Sequence, residues 1–323
     1  MQTEERGPQG PCARVRVPSK INLFLAVRGV RPDGYHELVS VMQTVTLYDA
    51  VKACLDADPA AVHPSTRRFM GLDFTVEGPD GVPRDGDNLA VRAARLLMDT
   101  AGVGTSGDNG GTEPITRLHL SKRIPVAAGM AGGSADAAAA LVALNHLWEA
   151  DLDREQLRRL AAELGADVPF CVVGGTALAT GTGTALAQVL TRGTYHWVVG
   201  ISDDPLSTAD VYRTYDEVAQ PSHAEPDLVL QALRTGDAEA LGAALYNDLE
   251  VAALHLRPEL GDRRQALRDA GALGAVVAGS GPTLLALADS AQHAAELRAA
   301  VAPLFDRTEI ALSPAGGPEL RPG

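Results

Sequence analysis

The chain has 323 residues, enough for one large domain or two ordinary ones with a substantial core. Its 46% hydrophobic and 21% charged content is that of a globular protein, and its net charge of −13 argues against a nucleic-acid partner held by general electrostatics. No apolar run reaches the length of a membrane span, and residues 1–15 lack the apolar centre of a signal peptide.

In chain order, residues from about Ala13 to Val30 and from His36 to Ala53 alternate apolar and polar positions, the pattern of half-buried strands, with an Asp33-Gly34 turn between them. Residues 56–71 have a loop composition, followed by a short strand over Gly71–Gly78 and a helix from Asn88 to about Thr100 with Asp87 as its cap. The glycine-rich run 101–114 reads as a mobile insertion. A strand from Ile115 leads into a loop of small residues, then into an alanine-rich helix that ends near Trp148. A second helix, Asp153–Leu164, stops at Gly165, a residue type suited to a helix end. The strand Tyr195–Ser202 opens a further region of helices, among them one continuous segment from Asp237 to Glu250. A strand–turn–strand at Leu273–Ala288 and a last helix at Ser290–Phe305 follow, and residues 313–323 read as a disordered tail, as do residues 1–11. There is no internal repeat, and strands mixed with helices and hairpin-like turns indicate an α+β protein.

The segment Arg123–Trp148 carries the strongest chemical signal. Gly129, Gly132 and Gly133 remove side chains where a ligand or a backbone approaches, and Ser134, Ala135 and Asp136 open the helix that follows. The first amides of a helix lack internal acceptors and lie at its positive end, so this junction suits an anion, and phosphate is the usual one. It is not a P-loop, because no lysine follows the glycines, and it lacks the dinucleotide-binding glycine spacing. The plainer reading is a loop entering a core helix, with Ser134 as an N-cap.

Lys20, Lys52 and Lys122 are the only lysines. Lys20 lies among apolar strand residues and reads either as an edge-protecting charge or as an inward functional one. Lys52 and Lys122 read as solvated surface charges. Cys12, Cys54 and Cys171 are scattered and lack metal-ligand spacing, which suggests reduced thiols in a cytoplasmic enzyme. Asp167, two residues before Pro169, reads either as a helix-terminating turn residue or as an ordered base.

The loop Pro125–Ala135 resembles the second signature motif of the GHMP kinase superfamily, matching at Pro125, Gly129, Gly132, Gly133 and Ser134. Met130, Ala131 and Ala135 depart from it with small or apolar residues. Pro18–Gln43, with Lys20–Leu23 and Asp33–His36, is similar to the amino-terminal signature of the 4-diphosphocytidyl-2-C-methyl-D-erythritol kinase family. Leu164–Phe170 matches that family's Gly-Ala-Asp-Val-Pro segment, and Gly279, Ser280, Gly281 and Thr283 look like the third GHMP motif.

The resemblance implies a two-domain GHMP kinase fold. Residues 12–180 would form a ribosomal-protein-S5-like nucleotide-binding domain and residues 190–312 a ferredoxin-like domain. It implies ATP and Mg²⁺ as cofactors and a cytidyl diphosphate sugar alcohol as substrate, phosphorylated on its C2 hydroxyl. ATP would be held by Pro125, Val126, Ala127, Ala128, Gly129, Met130, Ala131, Gly132, Gly133, Ser134 and Ala135, with Ser134 also within reach of the metal. Asp167 would take the hydroxyl proton and Lys20 would offset the developing charge. Asn22 would contact substrate, while Tyr35 and His36 would bind the cytosine, with Tyr212 as the candidate for a second stacking face. The expected partners are small molecules alone, with neither nucleic acid nor membrane, in a monomer or homodimer.

Two rival readings fit the same motifs: another GHMP small-molecule kinase, acting on homoserine, mevalonate or a sugar, and a catalytically inactive GHMP-fold binding protein. The Asp33–His36 segment speaks against the first, since those substrates offer no cytosine to stack upon. The joint presence of Lys20 and Asp167 speaks against the second.

Overall fold

The computed structural model describes residues 10–56, 67–69, 72–102 and 115–322. The two alternating amino-terminal segments become one long antiparallel pair, β1 (Cys12–Val30) and β2 (His36–Asp56). Their register slips at three bulges, between Pro18 and Ser19, Asn22 and Phe24, and Val27 and Gly29. Bulges bend a strand and re-aim its side chains, and two of these flank Lys20 and Asn22. There follow β3 (Arg67–Phe69), β4 (Leu72–Glu77), α1 (Leu89–Ala101), β5 (Ile115–Ser121) and α2 (Gly132–Leu147). Next come α3 (Arg154–Leu164), α4 (Val168–Val173), β6 (Thr176–Gly181) and β7 (Ala185–Gln188). The main path of the first sheet runs β4–β5–β2–β1, with β3 outside β4 and with β6 and β7 extending from β2.

The second half contains β8 (Tyr195–Ile201), α5 (Thr208–Val218), α6 (Asp227–Thr235), α7 (Ala238–Ala244), β9 (Tyr246–Asn247), α8 (Leu249–Leu256) and α9 (Glu259–Asp269). It closes with β10 (Gly274–Val277), β11 (Leu284–Ala288), α10 (Ala291–Val301), β12 (Arg307–Ser313) and β13 (Glu319–Pro322). Strands β10–β11–β8–β12 form a four-stranded antiparallel sheet whose central strand β11 is buried throughout.

Helix α2 is apolar on nearly every side and is enclosed accordingly, with Ala137–Leu141 fully buried against the first sheet and α1. Alanine brings the helix axis close to the sheet, so the loop before it is held close as well. The two sheets are knitted at β12, where the Leu312 amide donates to Thr46 Oγ1 (2.8 Å) and Ser313 Oγ donates to Gln43 Oε1 (2.5 Å).

Several expectations require correction. The cap of α1 is Asn88, whose Oδ1 accepts from the Ala90 amide at 2.9 Å, rather than Asp87. The single helix expected over 237–250 is broken, because Tyr246–Asn247 pairs in parallel with β1, the Asn247 amide donates to the distant Val277 and Gly279 carbonyls, and its Oδ1 accepts from the Leu249 amide at the start of α8. Residues 313–322 are an ordered return to the first sheet: β13 pairs with β1 from Ala13 to Arg16, which satisfies an otherwise open strand edge. Cys12 and Cys54 form a disulfide, since the β1–β2 register sets them directly opposite each other, and only Cys171 is a free thiol. Residues 103–114 of the expected glycine-rich insertion and residues 1–9 of the amino-terminal tail lie outside the described residues.

Candidate active site

The loop between β5 and α2 takes left-handed backbone conformations at Ala127 (φ +49°), Gly129 (+74°) and Ala131 (+54°). The helix opens at Gly132, two residues earlier than the sequence reading placed it, so Gly132 and Gly133 form its first turn. Ala131 supplies no side-chain cap, which leaves the leading amides open to an anion. A Cβ on Gly129 would stand 1.7 Å from the Ala278 carbonyl oxygen, and one on Gly279 (φ +52°) 2.8 Å from the Gly129 carbonyl oxygen. The phosphate loop and the third motif therefore touch backbone to backbone.

Within the loop, Ala127 and Gly133 are exposed, and Val126, Gly129, Ala131 and Ser134 are half-buried, as ligand-facing positions would be. Pro125, Ala128, Met130, Gly132 and Ala135 are buried and shape the loop from beneath. Met130 anchors it to β1, its carbonyl accepting from Ser19 Oγ at 2.9 Å and from the Lys20 amide at 3.3 Å.

Lys122 is not a surface charge. Its side chain is only 3% exposed, with Nζ 2.5 Å from Asp49 Oδ2 and 2.9 Å from Asp136 Oδ2. Asp49 Oδ1 also accepts from the Arg123 and Ile124 amides at 2.5 and 2.8 Å, so one buried group fixes the start of the loop to β2. A Cβ on Gly132 would lie 2.7 Å from Lys122 Nζ, which explains a glycine inside the helix. Burial alone would lower the Lys122 ammonium, but Asp136 and Asp49 hold it above the ordinary lysine value. Burial lifts Asp136 well above the carboxylate range, the nearby Asp49 adding to it against the opposing pull of Lys122.

Lys20 and Asp167 converge from distant parts of the chain. Lys20 Nζ lies 3.3 Å from Asp167 Oδ2 and donates to Asn22 Oδ1 at 2.9 Å. The lysine side chain is 6% exposed and the aspartate side chain 36%, so the pair opens outward on the carboxylate side. Asp167 precedes α4, where Pro169 sits in the first turn, and its side chain makes no capping bond. Asn22 Nδ2 in turn donates to Ser40 Oγ at 2.8 Å, and Ser40 Oγ to the Phe24 carbonyl at 2.7 Å, a chain that fixes the Asn22 amide.

Tyr35 follows the tight turn and is 68% exposed. His36 is packed on its own side: its ring stacks on Tyr212 with centroids 4.7 Å apart, and its Nε2 lies 2.8 Å from Asp216 Oδ1. The Tyr212 phenol is pushed far up by burial and by the Asp167 carboxylate, which places the aromatic cluster and the Lys20–Asp167 pair in one electrostatic neighbourhood.

In the third motif, Ser280 Oγ lies 2.9 Å from Thr208 Oγ1, and Gly281 takes φ +79°. Thr283 is fully buried and its hydroxyl has no hydrogen-bond partner, so it supports the turn from inside. Asn247 staples this turn by donating to the Val277 and Gly279 carbonyls at 2.8 and 2.7 Å.

Asp49, Lys122, Asp136, Ser40, Asp216 and Asn247 were absent from the sequence-derived site. Only Asp136, inside the loop–helix motif, carried a local signal. Among the described residues no group of three or more His, Cys, Asp or Glu side chains could hold a metal ion.

A mixed α+β fold with a phosphate-type loop entering a buried helix, a second glycine turn against it and a lysine–aspartate pair nearby defines a small-molecule kinase of the GHMP type. The GHMP kinases N-terminal domain model matches residues 88–175, and the GHMP kinases C-terminal model residues 229–305. The chain is 50% identical over 293 residues to the 4-diphosphocytidyl-2-C-methyl-D-erythritol kinase of Thermobifida fusca (strain YX), covering 89% of this chain and 90% of that one. It is 45% identical over 289 residues to the enzyme of the same name from Mycobacterium bovis (strain BCG / Pasteur 1173P2), covering 88% and 85%. A crystal structure of 4-(cytidine 5'-diphospho)-2C-methyl-D-erythritol kinase superposes with a TM-score of 0.73 at 33% identity, over 94% of this chain and all of that one. The homoserine kinase from Cytophaga hutchinsonii, at 19% identity and TM-score 0.71 over 99% and 100%, shares the fold. The chain belongs to the GHMP kinases, and within them to the 4-diphosphocytidyl-2-C-methyl-D-erythritol kinase family.

Proposed function

We propose that this protein transfers the γ-phosphoryl group of ATP to the C2 hydroxyl of 4-diphosphocytidyl-2-C-methyl-D-erythritol, giving the 2-phosphate and ADP in the non-mevalonate route to isoprenoid precursors. The observation that carries the reading is Lys20 Nζ at 3.3 Å from Asp167 Oδ2, beside the His36–Tyr212 stack. Phosphoryl transfer asks for positioning, neutralisation of the moving charge and a destination for the alcohol proton.

Asp167 accepts the hydroxyl proton: its side chain makes no capping bond, and with Oδ2 beside Lys20 the other carboxylate oxygen is left for the substrate. Lys20, held by Asn22, offsets negative charge on the attacking oxygen and the transferring group. The open amides at Gly132–Ser134 and the turn at Gly279–Gly281 cradle the triphosphate. Tyr35, His36 and Tyr212 receive the cytosine, with Asp216 holding the His36 ring.

Mg²⁺ fits this donor set as an ion carried largely by the nucleotide phosphates, with the Ser134 hydroxyl as the protein oxygen at the cradle. When bound it neutralises phosphate charge. The working form is a monomer or homodimer in the cytoplasm, and no helix among the described residues is long and apolar enough to cross a membrane. Residues 12–180 and 190–312 are read as its two domains.

Incubating the protein with ATP, Mg²⁺ and the cytidyl substrate should yield the 2-phosphate, while homoserine and mevalonate should neither react nor compete. A protein that binds ATP yet transfers nothing to the cytidyl substrate contradicts the assignment.

A further inference from the structure

The first sheet has an outer face, turned away from α1 and α2, that carries a row of like charges. Side chains alternate across a strand. Val15, Val17, Val51, Leu118 and Leu120 therefore face the helices, and the residues between them face outward. On that outer face Arg14 stands opposite Arg321 of β13 on one side and opposite Lys52 of β2 on the other. Lys52 in turn stands opposite His119 of β5. Like charges directly opposite each other in neighbouring strands destabilise a sheet, and here three consecutive strands each contribute a cation. Arg321 is partly offset by Glu319 on its own strand, at 2.9 Å. Arg14 and Lys52 are exposed and have no ion-pair partner among the described residues.

The row borders a cavity of about 670 Å³ whose walls include Arg14, Arg16, Arg123 and Arg307 around Tyr48. The Arg16 guanidinium lies 3.9 Å from the centroid of the Tyr48 ring and pairs with Glu319 at 3.0 Å, yet its Nε is buried with no hydrogen-bond partner. None of Pro125–Ala135, Lys20, Asp167 or the third motif lines this cavity, although Asp49 and Lys122, which anchor the start of the phosphate loop, stand on its wall. Its volume is that of a small-molecule site. Glu77 and Glu309 on its walls, in a chain of net charge −13, disfavour an extended polyanion and leave room for a compact one.

We propose that this recess is a second binding site, for a small molecule bearing a phosphate or diphosphate group. Arg14 presents a planar fork matched to phosphate oxygens, Arg16 and Arg307 add guanidinium charge while paired with Glu319 and Glu309, and Lys52 and Arg321 supply the flanking positive field. Arg14 belongs both to the row and to the cavity wall, so a dianion bound there offsets part of the cross-strand repulsion and links binding to sheet stability.

The test is calorimetric titration of pyrophosphate, with inorganic phosphate as a second arm, into the wild-type protein and the Arg14→Gln/Lys52→Gln double variant. Neither residue belongs to the proposed kinase machinery, so ATP-dependent turnover should be the same in both and reports separately on the kinase reading. The wild type should bind one more pyrophosphate than the double variant, or the same site should weaken by at least about tenfold in the variant. Pyrophosphate should raise the thermal midpoint of the wild type more than that of the variant, and without anion the variant should be no less stable. A preference for pyrophosphate over inorganic phosphate identifies a diphosphate ligand, and equal affinity identifies a monophosphate. Identical stoichiometry and affinity in the two proteins, or no binding by either, overturns the proposal.

Discussion

The Lys20 ammonium and the Asp167 carboxylate lie 3.3 Å apart although 146 residues of chain separate them, and only the carboxylate is substantially open to solvent. A buried cation paired with a half-open anion is an asymmetric arrangement: the lysine is fixed by Asn22, while the aspartate keeps capacity for a substrate hydroxyl.

Asp167→Asn retains shape and removes the proton acceptor. Turnover should fall by about 10²- to 10⁴-fold, the usual worth of a positioned base, while ADP affinity changes little. Steady-state kinetics beside a nucleotide-binding titration checks both halves, and near-normal turnover removes the base assignment.

Tyr212→Ala strips the ring against which His36 packs, whereas Tyr212→Phe keeps the face and deletes only a buried hydroxyl. The alanine variant should raise KM for the cytidyl substrate by the worth of one stacked base, about 1–3 kcal/mol, with KM for ATP unchanged. The phenylalanine variant should stay close to wild type. An unchanged KM in Tyr212→Ala counts against stacking.

Lys122→Met leaves two buried carboxylates facing each other, and breaking a buried pair in this way costs about 3–5 kcal/mol. Asp136→Asn is a gentler change with a pH signature. Asp136 has a folded-state pKa above its unfolded value, so the folded protein holds the extra proton. The stability tied to that proton is complete at and below the unfolded carboxylate range and is lost as pH rises through the raised value. Urea midpoints measured from mild acid to neutrality should fall less steeply in Asp136→Asn than in wild type. Parallel curves refute the raised value.

The thiol inventory gives an independent check of the β1–β2 register. Cys171 is buried, and burial pushes its thiol far above the usual range, so the native protein should not react with thiol reagents at mildly alkaline pH. Unfolding without reductant should expose one thiol per chain, and three after reduction, because Cys12 and Cys54 are joined. Three thiols before reduction contradict the pairing.

What the sequence made legible was local. Alternation announced β1 and β2, and glycines beside an alanine-rich run announced the loop and α2. What it hid was the identity of distant neighbours. Lys122 looks solvated between Ser121 and Arg123, yet its partners lie 73 residues before it and 14 after it in sequence. Asn247 looks like one position of a helix until the Val277 and Gly279 carbonyls arrive beside it. The carboxyl-terminal segment has the composition of a loose tail, and only the free edge of β1 gives it a strand to join. The disulfide depends on a register carried across three bulges, which no spacing rule encodes.

The roles of Lys20 and Asp167 are tested most directly by a structure with a non-hydrolysable ATP analogue and the cytidyl substrate bound together. In that complex the γ-phosphate should lie beside Lys20 Nζ and the substrate C2 hydroxyl within hydrogen-bond reach of Asp167. A γ-phosphate held away from Lys20, or a different hydroxyl presented to Asp167, contradicts these roles.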